Sequence, residues 1–378
     1  MVRSKDTRLP MLISQRIEGG GPGGHLAYGA WNEAEDVLAD TSGVGIGVLD
    51  RHSHQPQIHT RRVLGRALRR VGGRSRLLPP TRGLAAAEGH DHVFFIARGA
   101  WDLPLLERLR SLRRRSLTLS IWIPEIWPTE LSDKRLVYES YSMVDHVFVG
   151  IAAAAEPFVE IAPGAQIHVL PPAVDVLRFA PADPLTPRGI AVLGIGRRDP
   201  AQHGEILDWA RSRRALYIYD TVKGEAIEWA EHRQALANLY QHANVAVCNY
   251  AKHDMPTVTG GLRVLPGRLF EGLAAGTVLI GLPPDEQRQK DVVGATVVEP
   301  LDGSRNQLRE LLERFSDPLE AQPIRARNLA LACRGQDWGH RWKEVFEVIG
   351  LPVPFGLQNR LDDLEKKAIV YDELADSL

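Results

Sequence analysis

The residues best placed to do chemistry lie between Asn249 and Leu282, in the stretch NYAKHDMPTVTGGLRVLPGRLFEGLAAGTVLIGL. A loop rich in Gly, Thr and Pro leads there into an expected helix at 268–275 and an expected strand at 278–281. The loop run Gly260, Gly261, Leu262 and Arg263 lets the backbone approach a ligand and offer N–H donors. Glu271 is expected in the first turn of the helix. A carboxylate at that place accepts two hydrogen bonds from vicinal hydroxyls, the pair that a ribose presents. The plainer role for it is a carboxylate favourable to the helix dipole. Arg268 stands one turn earlier on the same face. Lys252 and His253, with Asp254, follow the end of an expected strand at 245–249, a place from which they could touch phosphate or sugar. A second cationic pair, Arg197 and Arg198, follows Gly196 at the end of an expected strand at 189–195, where an anion site is natural.

Two further groups could take part in a reaction. Gly20, Gly21, Gly23 and Gly24 precede His25, which opens an expected helix running to Asp40. A helix N-terminus behind glycines suits an anion or the lining of a cleft. Glu125 is a polar residue in the apolar run Ile121-Trp122-Ile123-Pro124-Glu125-Ile126-Trp127-Pro128, at an expected strand end. Glu125, His25 and Arg197 are the candidate catalytic residues. Trp122, Trp127, Trp338 and Trp342 read as core packing before they read as platforms for a sugar.

These groups need a scaffold of strands and helices. Short apolar runs at 12–14, 44–49, 93–97, 117–123 and 146–149 alternate with amphipathic stretches, and the pattern restarts at 189–195, 215–219, 245–249 and 278–281. Such alternation builds parallel sheets flanked by helices, with ligands at the carboxyl ends of the strands. Prolines at 171, 172, 181, 184 and 187 mark a boundary between two halves. A chain of 378 residues exceeds the usual size of one core. Two domains are therefore expected, 1–178 and 179–350, with the tail 351–378 returning to the first. Cys248 and Cys333 lack metal-ligand spacing and cannot form a disulfide framework. No apolar run approaches ~20 residues. The two cysteines make a reducing, cytoplasmic compartment the expectation, and Met1 to Pro10 lacks the apolar core of a signal peptide. The formal net charge of −1 gives no global bias toward nucleic acid, and none is expected as a partner.

Arg268-Leu269-Phe270-Glu271-Gly272-Leu273-Ala274-Ala275-Gly276 resembles the nucleotide-ribose motif of retaining two-domain glycosyltransferases of the group 1 clan. The likeness is to their CgeB-like spore-maturation branch, with its Arg-x-Phe-Glu-x-x-Ala-x-Gly pattern. Leu170-Pro171-Pro172-Ala173-Val174-Asp175, with Arg178, Phe179 and Pro181, resembles the linker that ends the first domain in that clan. Gly196-Arg197 resembles its phosphate-contacting turn, and Gly19 to His25 its first glycine loop. The resemblance implies an α/β GT-B fold, two Rossmann-like parallel-sheet domains facing a central cleft. It implies a nucleotide diphosphate sugar as donor, transfer with retention to an unknown acceptor, and no cofactor. No metal is implied either, and no Asp-x-Asp occurs in the chain. Three positions depart from the clan. Arg263 stands eight residues before Glu271, where a first glutamate is usual. His203-Gly204 stands where Lys-Gly is common. The stretch 121–128 has no histidine. These departures keep two alternatives open, a catalytically impaired nucleotide-binding scaffold and a nucleotide-sugar epimerase.

Between Arg51 and Arg115 stand fifteen arginines and no lysines against four acidic residues, a local balance of +11. Arg62, Arg66, Arg69 and Arg70 share one face at helical spacing. Packing alone does not require a purely cationic face. The segment is therefore read as meeting an anionic or lipid-linked acceptor, or a membrane surface peripherally. Co-sedimentation with anionic vesicles should be lost at high salt and on reversing the charge of Arg62, Arg66 and Arg69, and neutral vesicles should not bind. Indifference to lipid charge would leave a solvated face.

Overall fold

The computed structural model describes residues 10–14, 28–48, 90–97, 118–133, 141, 144–220, 229–301 and 306–378. Gly20, Gly21, Gly23, Gly24, His25 and the arginines of 51–115 lie outside the described residues. The chain forms two compact units, one from residues 1–24 and 43–170, the other from 25–42 and 171–378.

In the first unit a parallel sheet is built from β1 (Met11–Ser14), β2 (Gly45–Val48), β3 (His92–Ile96), β4 (Thr118–Ile123), β5 (His146–Val149) and β6 (Gln166–Val169), in the order β2-β1-β3-β4-β5-β6. The central strands β3, β4 and β5 are near-continuous apolar runs and are almost wholly buried. That is what a parallel strand covered on both faces requires. The edge strand β6 is largely exposed and mixed in polarity, so its sequence carries no apolar signal.

Three histidines stand on β3, β5 and β6. His92 opens β3 and His146 opens β5. His146 Nδ1 lies 3.3 Å from Nε2 of His168 on β6, with the rings stacked at 5.5 Å. Burial lowers the pKa of all three. Asp91 and Asp145 oppose it at His92 and His146, while His92 adds to it at His146 and His146 adds to it at His168.

In the second unit the strands are β7 (Ile190–Ile195), β8 (Tyr217–Asp220), β9 (Ala243–Val247), β10 (Val278–Gly281) and β11 (Val298–Pro300). They are parallel, in the order β11-β10-β9-β7-β8. The helices of the described residues are α1 (Gly29–Ser42), α2 (Pro128–Asp133), α3 (Ala155–Ile161), α4 (Val176–Phe179), α5 (Pro200–Arg213), α6 (Trp229–Gln241), α7 (Pro256–Thr259), α8 (Gly267–Ala274), α9 (Glu286–Val293), α10 (Gln307–Arg314), α11 (Pro318–Gly335), α12 (Trp338–Val348) and α13 (Phe355–Ser377). Only α2 and α3 belong to the first unit. One core layer joins Leu269, Phe270 and Leu273 of α8 to Leu236 and Tyr240 of α6. Another sets Ile206 and Trp209 of α5 against Val192, Val245 and Val278.

The strand order reverses between β7 and β9, and open sheets of this kind bind ligands at the carboxyl ends of the strands beside such a reversal. The turn 196–198 leaves β7 there, and the loop 249–265 follows β9.

The units divide the chain differently from the expectation of 1–178 and 179–350 with a returning tail. Helix α1 lies in the second unit, because its buried face meets α6, α12 and α13. Helix α13 packs on α1, α11 and α12 of that same unit, with Leu357, Leu361 and Leu364 buried. Its Arg360 donates to Asp337 at 2.7 Å and also pairs with Asp175. The boundary stretch 170–187 holds a turn of helix, α4, capped by Asp175.

Histidines with lowered native pKa are neutral in the folded chain and take up protons when it unfolds, so their contribution is complete above the ordinary value of 6.5 and shrinks as pH falls below it. The urea midpoint should therefore fall between pH 7.5 and about 5.5. The fall should be shallower in His146→Gln/His168→Gln, and an equal slope in that variant would dismiss the cluster as its source.

Candidate functional site

The turn after β7 is shaped around one arginine. Gly196 has φ +88°, and a Cβ there would lie 2.6 Å from Nη2 of Arg268. Arg268 reaches into the turn and donates from Nη1 to the Arg197 carbonyl at 3.3 Å. Arg197 is exposed and pairs with Asp254 of the loop after β9, at 2.9 and 3.1 Å. Arg198 lies over the ring of Tyr219 at 5.4 Å. These groups open on a shallow pocket lined by Arg197, Arg198, Gln202, His203, Tyr217 and Arg268. Helix α5 starts at the same place, with Asp199 as its cap and Pro200 first. Three arginines and the N–H groups of a helix N-terminus suit a phosphate or diphosphate.

The pocket floor is held by side-chain hydrogen bonds. Asn249 donates to Gln202 at 2.9 Å and accepts from the Leu282 N–H at 2.8 Å, tying the ends of β9 and β10 to α5. His203 Nδ1 lies 3.0 Å from the Tyr217 hydroxyl. Burial, then the charge of Arg198, lowers the His203 pKa, and burial pushes Tyr217 up to about 12. His203 is thus a neutral partner where a lysine would be a cation.

Glu271 lies in the second turn of α8 and not in the first, because the helix begins at Gly267. Its side chain is 13% exposed, and its Oε1 accepts from Nη1 of Arg233 on α6. Arg233 in turn is clasped by Glu33 of α1, with Nε donating to Oε2 at 2.8 Å and Nη2 to Oε1 at 3.1 Å. Burial works against the charge on Arg233, but Glu33 and Glu271 outweigh it and hold the guanidinium firmly protonated. Helix α8 can lie this close to the sheet because Gly272 has no side chain. A Cβ there would stand 2.4 Å from Cδ2 of Leu279 on β10.

The loop after β9 carries the remaining donor-side candidates. Lys252 has φ +52°, and its carbonyl accepts from the Met255 N–H at 2.8 Å. His253 packs edge-on against Tyr250 at 6.1 Å, and its pKa is lowered by burial first. Gly260 and Gly261 both take positive φ, +61° and +84°, in the turn that leads through Leu262. Arg263 lies over the Tyr250 ring at 5.7 Å. Glu125 is exposed at the carboxyl end of β4 in the first unit, where it accepts from the Trp127 indole at 3.0 Å. The structure thus gathers Arg197, Arg198 and Arg268 around one pocket of the second unit. Trp122, Trp127, Trp338 and Trp342 are all buried, as core packing requires.

Sequence reasoning missed Glu33 and Arg233. Both sit on the buried faces of amphipathic helices, and a lone charge on such a face is the signal that was there to read. Among the described residues, no group of three or more His, Cys, Asp and Glu could hold a metal ion, and no helix is long and apolar enough to cross a membrane.

Solved structures resemble the chain along most of its length. An α-glucosyltransferase, solved in complex with UDP and a 13-mer DNA containing an HMU base, aligns with a TM-score of 0.55 at 12% identity, over 90% of this chain and 98% of that one. The fold is GT-B. Anabaena HepE, solved in complex with UDP-glucose, aligns with a TM-score of 0.50 at 10% identity, over 91% of this chain and all of that one, 100%. No protein-family model matches the sequence, and no curated protein matches it.

Replacing Gly196 by Ala forces a side chain into left-handed backbone and displaces Arg268. The variant should lose more than about 1 kcal/mol of stability. Gly204 lies within α5 with open space at its Cβ position, so Gly204→Ala should be neutral or slightly stabilising. Thermal unfolding of the two variants checks both expectations.

Proposed function

We propose that the protein is a glycosyltransferase that takes a nucleotide diphosphate sugar in its second unit and transfers the sugar with retention and without a metal. The observation that carries this reading is the three-arginine pocket after β7, with Glu271 one helical turn beyond Arg268 on α8. Glu271 binds the ribose hydroxyls. Arg268, Arg197, Arg198 and the start of α5 receive the diphosphate, whose negative charge grows as the sugar leaves. Fixed cations and amides aimed at developing charge are usually the largest catalytic contribution. Lys252, His253 and the turn 260–263 border the donor. Glu125 and His25 serve the acceptor side. The GT-B fold supports the reading, as do the UDP and UDP-glucose present in the complexes of the two neighbours. The motif at 268–276 supports placement near the CgeB-like branch.

An anionic or lipid-linked acceptor is proposed from the arginines of 51–115, with the protein in the cytoplasm and peripheral at the membrane. The expectation that excluded nucleic acid finds no support, since a neighbour of the same fold is bound to DNA. Arg263, where the clan commonly has a glutamate, favours a second reading as a nucleotide-binding scaffold without transfer.

A thermal-shift panel of UDP-, GDP-, dTDP- and ADP-sugars tests the proposal. At 100 times its dissociation constant a ligand adds about 2.7 kcal/mol of stability. Glu271→Ala should weaken the nucleotide that binds by roughly 10- to 150-fold, the worth of a charge-assisted hydrogen bond. Unchanged affinity in the folded variant would remove Glu271 from the site. Binding without turnover of the donor on any acceptor would favour the scaffold.

A further inference from the structure

Arg233 is 3% exposed and Glu33 is 0% exposed, yet neither belongs to the pocket lining. Buried charges are costly unless their hydrogen-bonding groups are matched. Here the match is close to complete. Glu33 Oε2 accepts from Arg233 Nε at 2.8 Å, with Arg178 Nε 4.0 Å away. Glu33 Oε1 accepts from Arg233 Nη2 at 3.1 Å, from the Asp175 N–H at 2.8 Å and from the Trp338 indole at 3.1 Å. One face of the guanidinium is covered by the Phe179 ring at 4.8 Å. The fork of Arg233 is therefore fixed in plane and direction, and its remaining nitrogen, Nη1, is spent on Glu271. Among the described residues Arg233 is the side chain that bonds this carboxylate, and it takes Oε1 alone.

We infer that Arg233, oriented by Glu33, is a positioning residue for the ribose carboxylate: it fixes Glu271 through Oε1 and leaves Oε2 for the ligand's hydroxyls. The inference rests on the reading of Glu271 given above. A carboxylate of this kind carries two oxygens and a rotatable end. Anchoring one oxygen to an immobile fork removes that freedom before the ligand arrives, which is how preorganisation raises affinity.

The test measures affinities of UDP, GDP and ADP and of their 2′-deoxy counterparts by calorimetry, for wild type, Glu271→Ala, Arg233→Met and Arg233→Lys. Wild type should prefer the ribonucleotide roughly tenfold or more, and Glu271→Ala should lose that preference. If wild type shows no preference, or Glu271→Ala keeps it, the ribose reading itself fails and the inference falls with it. If Glu271 carries the preference, Arg233→Met should cut it about fivefold or more while the deoxynucleotide affinity stays within about twofold. An equal loss for both nucleotides would reduce Arg233 to structural support and overturn the inference. Arg233→Lys keeps the charge without the fork and should show an intermediate preference. It decides the matter if Arg233→Met does not fold, since a wild-type preference in the lysine variant would overturn the inference equally.

Discussion

A single guanidinium, buried between two carboxylates, sets the terms for the second unit. Arg233 stands on α6, Glu33 on α1 and Glu271 on α8, and the backbone N–H of Asp175 and the indole of Trp338 complete the shell. None of these groups is tolerable alone in an apolar interior, because an unmatched buried charge costs several kcal/mol. Each helix is thus held to the others by a requirement stricter than hydrophobic contact, which permits sliding. The surrounding core of Leu236, Phe270 and Leu273 supplies the bulk of the burial. The ion network supplies the register.

The arginine pocket follows a second logic, in which backbone shape makes room for charge. Gly196 takes positive φ in the turn, and its missing Cβ admits Arg268. The same arginine reaches back from α8, the helix that bears Glu271. Arg268 and Glu271 thus stand one helical turn apart on α8, one in the turn after β7 and the other bonded to Arg233. Arg188 shows the contrasting use of a guanidinium. It is buried against the Ala243 and Ala275 carbonyls, each at 2.8 Å, and burial lowers its pKa to about 9. It braces the starts of β9 and β10 and makes no part of the pocket.

Much of this was legible in the chain. Strands 146–149 and 278–281 match their expected bounds because each is an apolar run with a turn residue beside it. The edge strands β6 and β11 were missed, since an edge strand has less apolar surface to bury and shows no run. The pocket arginines were visible because glycine and arginine after a buried strand have a direct physical meaning. The placement of α1 was not visible. Its sequence is an ordinary amphipathic helix, and what decides its home is Glu33, whose partners lie far along the chain. Local spacing contains no record of such pairings, so Glu271 could be read as a ligand group while the residue that bonds it could not.

The location of α1 has a consequence for how the chain is made. The polypeptide enters the second unit at His25, leaves it after Ser42, and returns at Pro171. Glu33 meets Arg233 across 200 residues and Trp338 across 305. At a synthesis rate of about 5–20 residues per second, the last of these partners emerges roughly 15 to 60 seconds after Glu33. Helix α1 must wait through that interval with the part of its face that meets α12 unmatched, while the strands before and after it already have each other. Maturation of the second unit is therefore tied to the synthesis of α12 and α13, and a ribosome stalled before residue 338 carries a nascent chain in which α1 can meet α6 alone of its three helical partners.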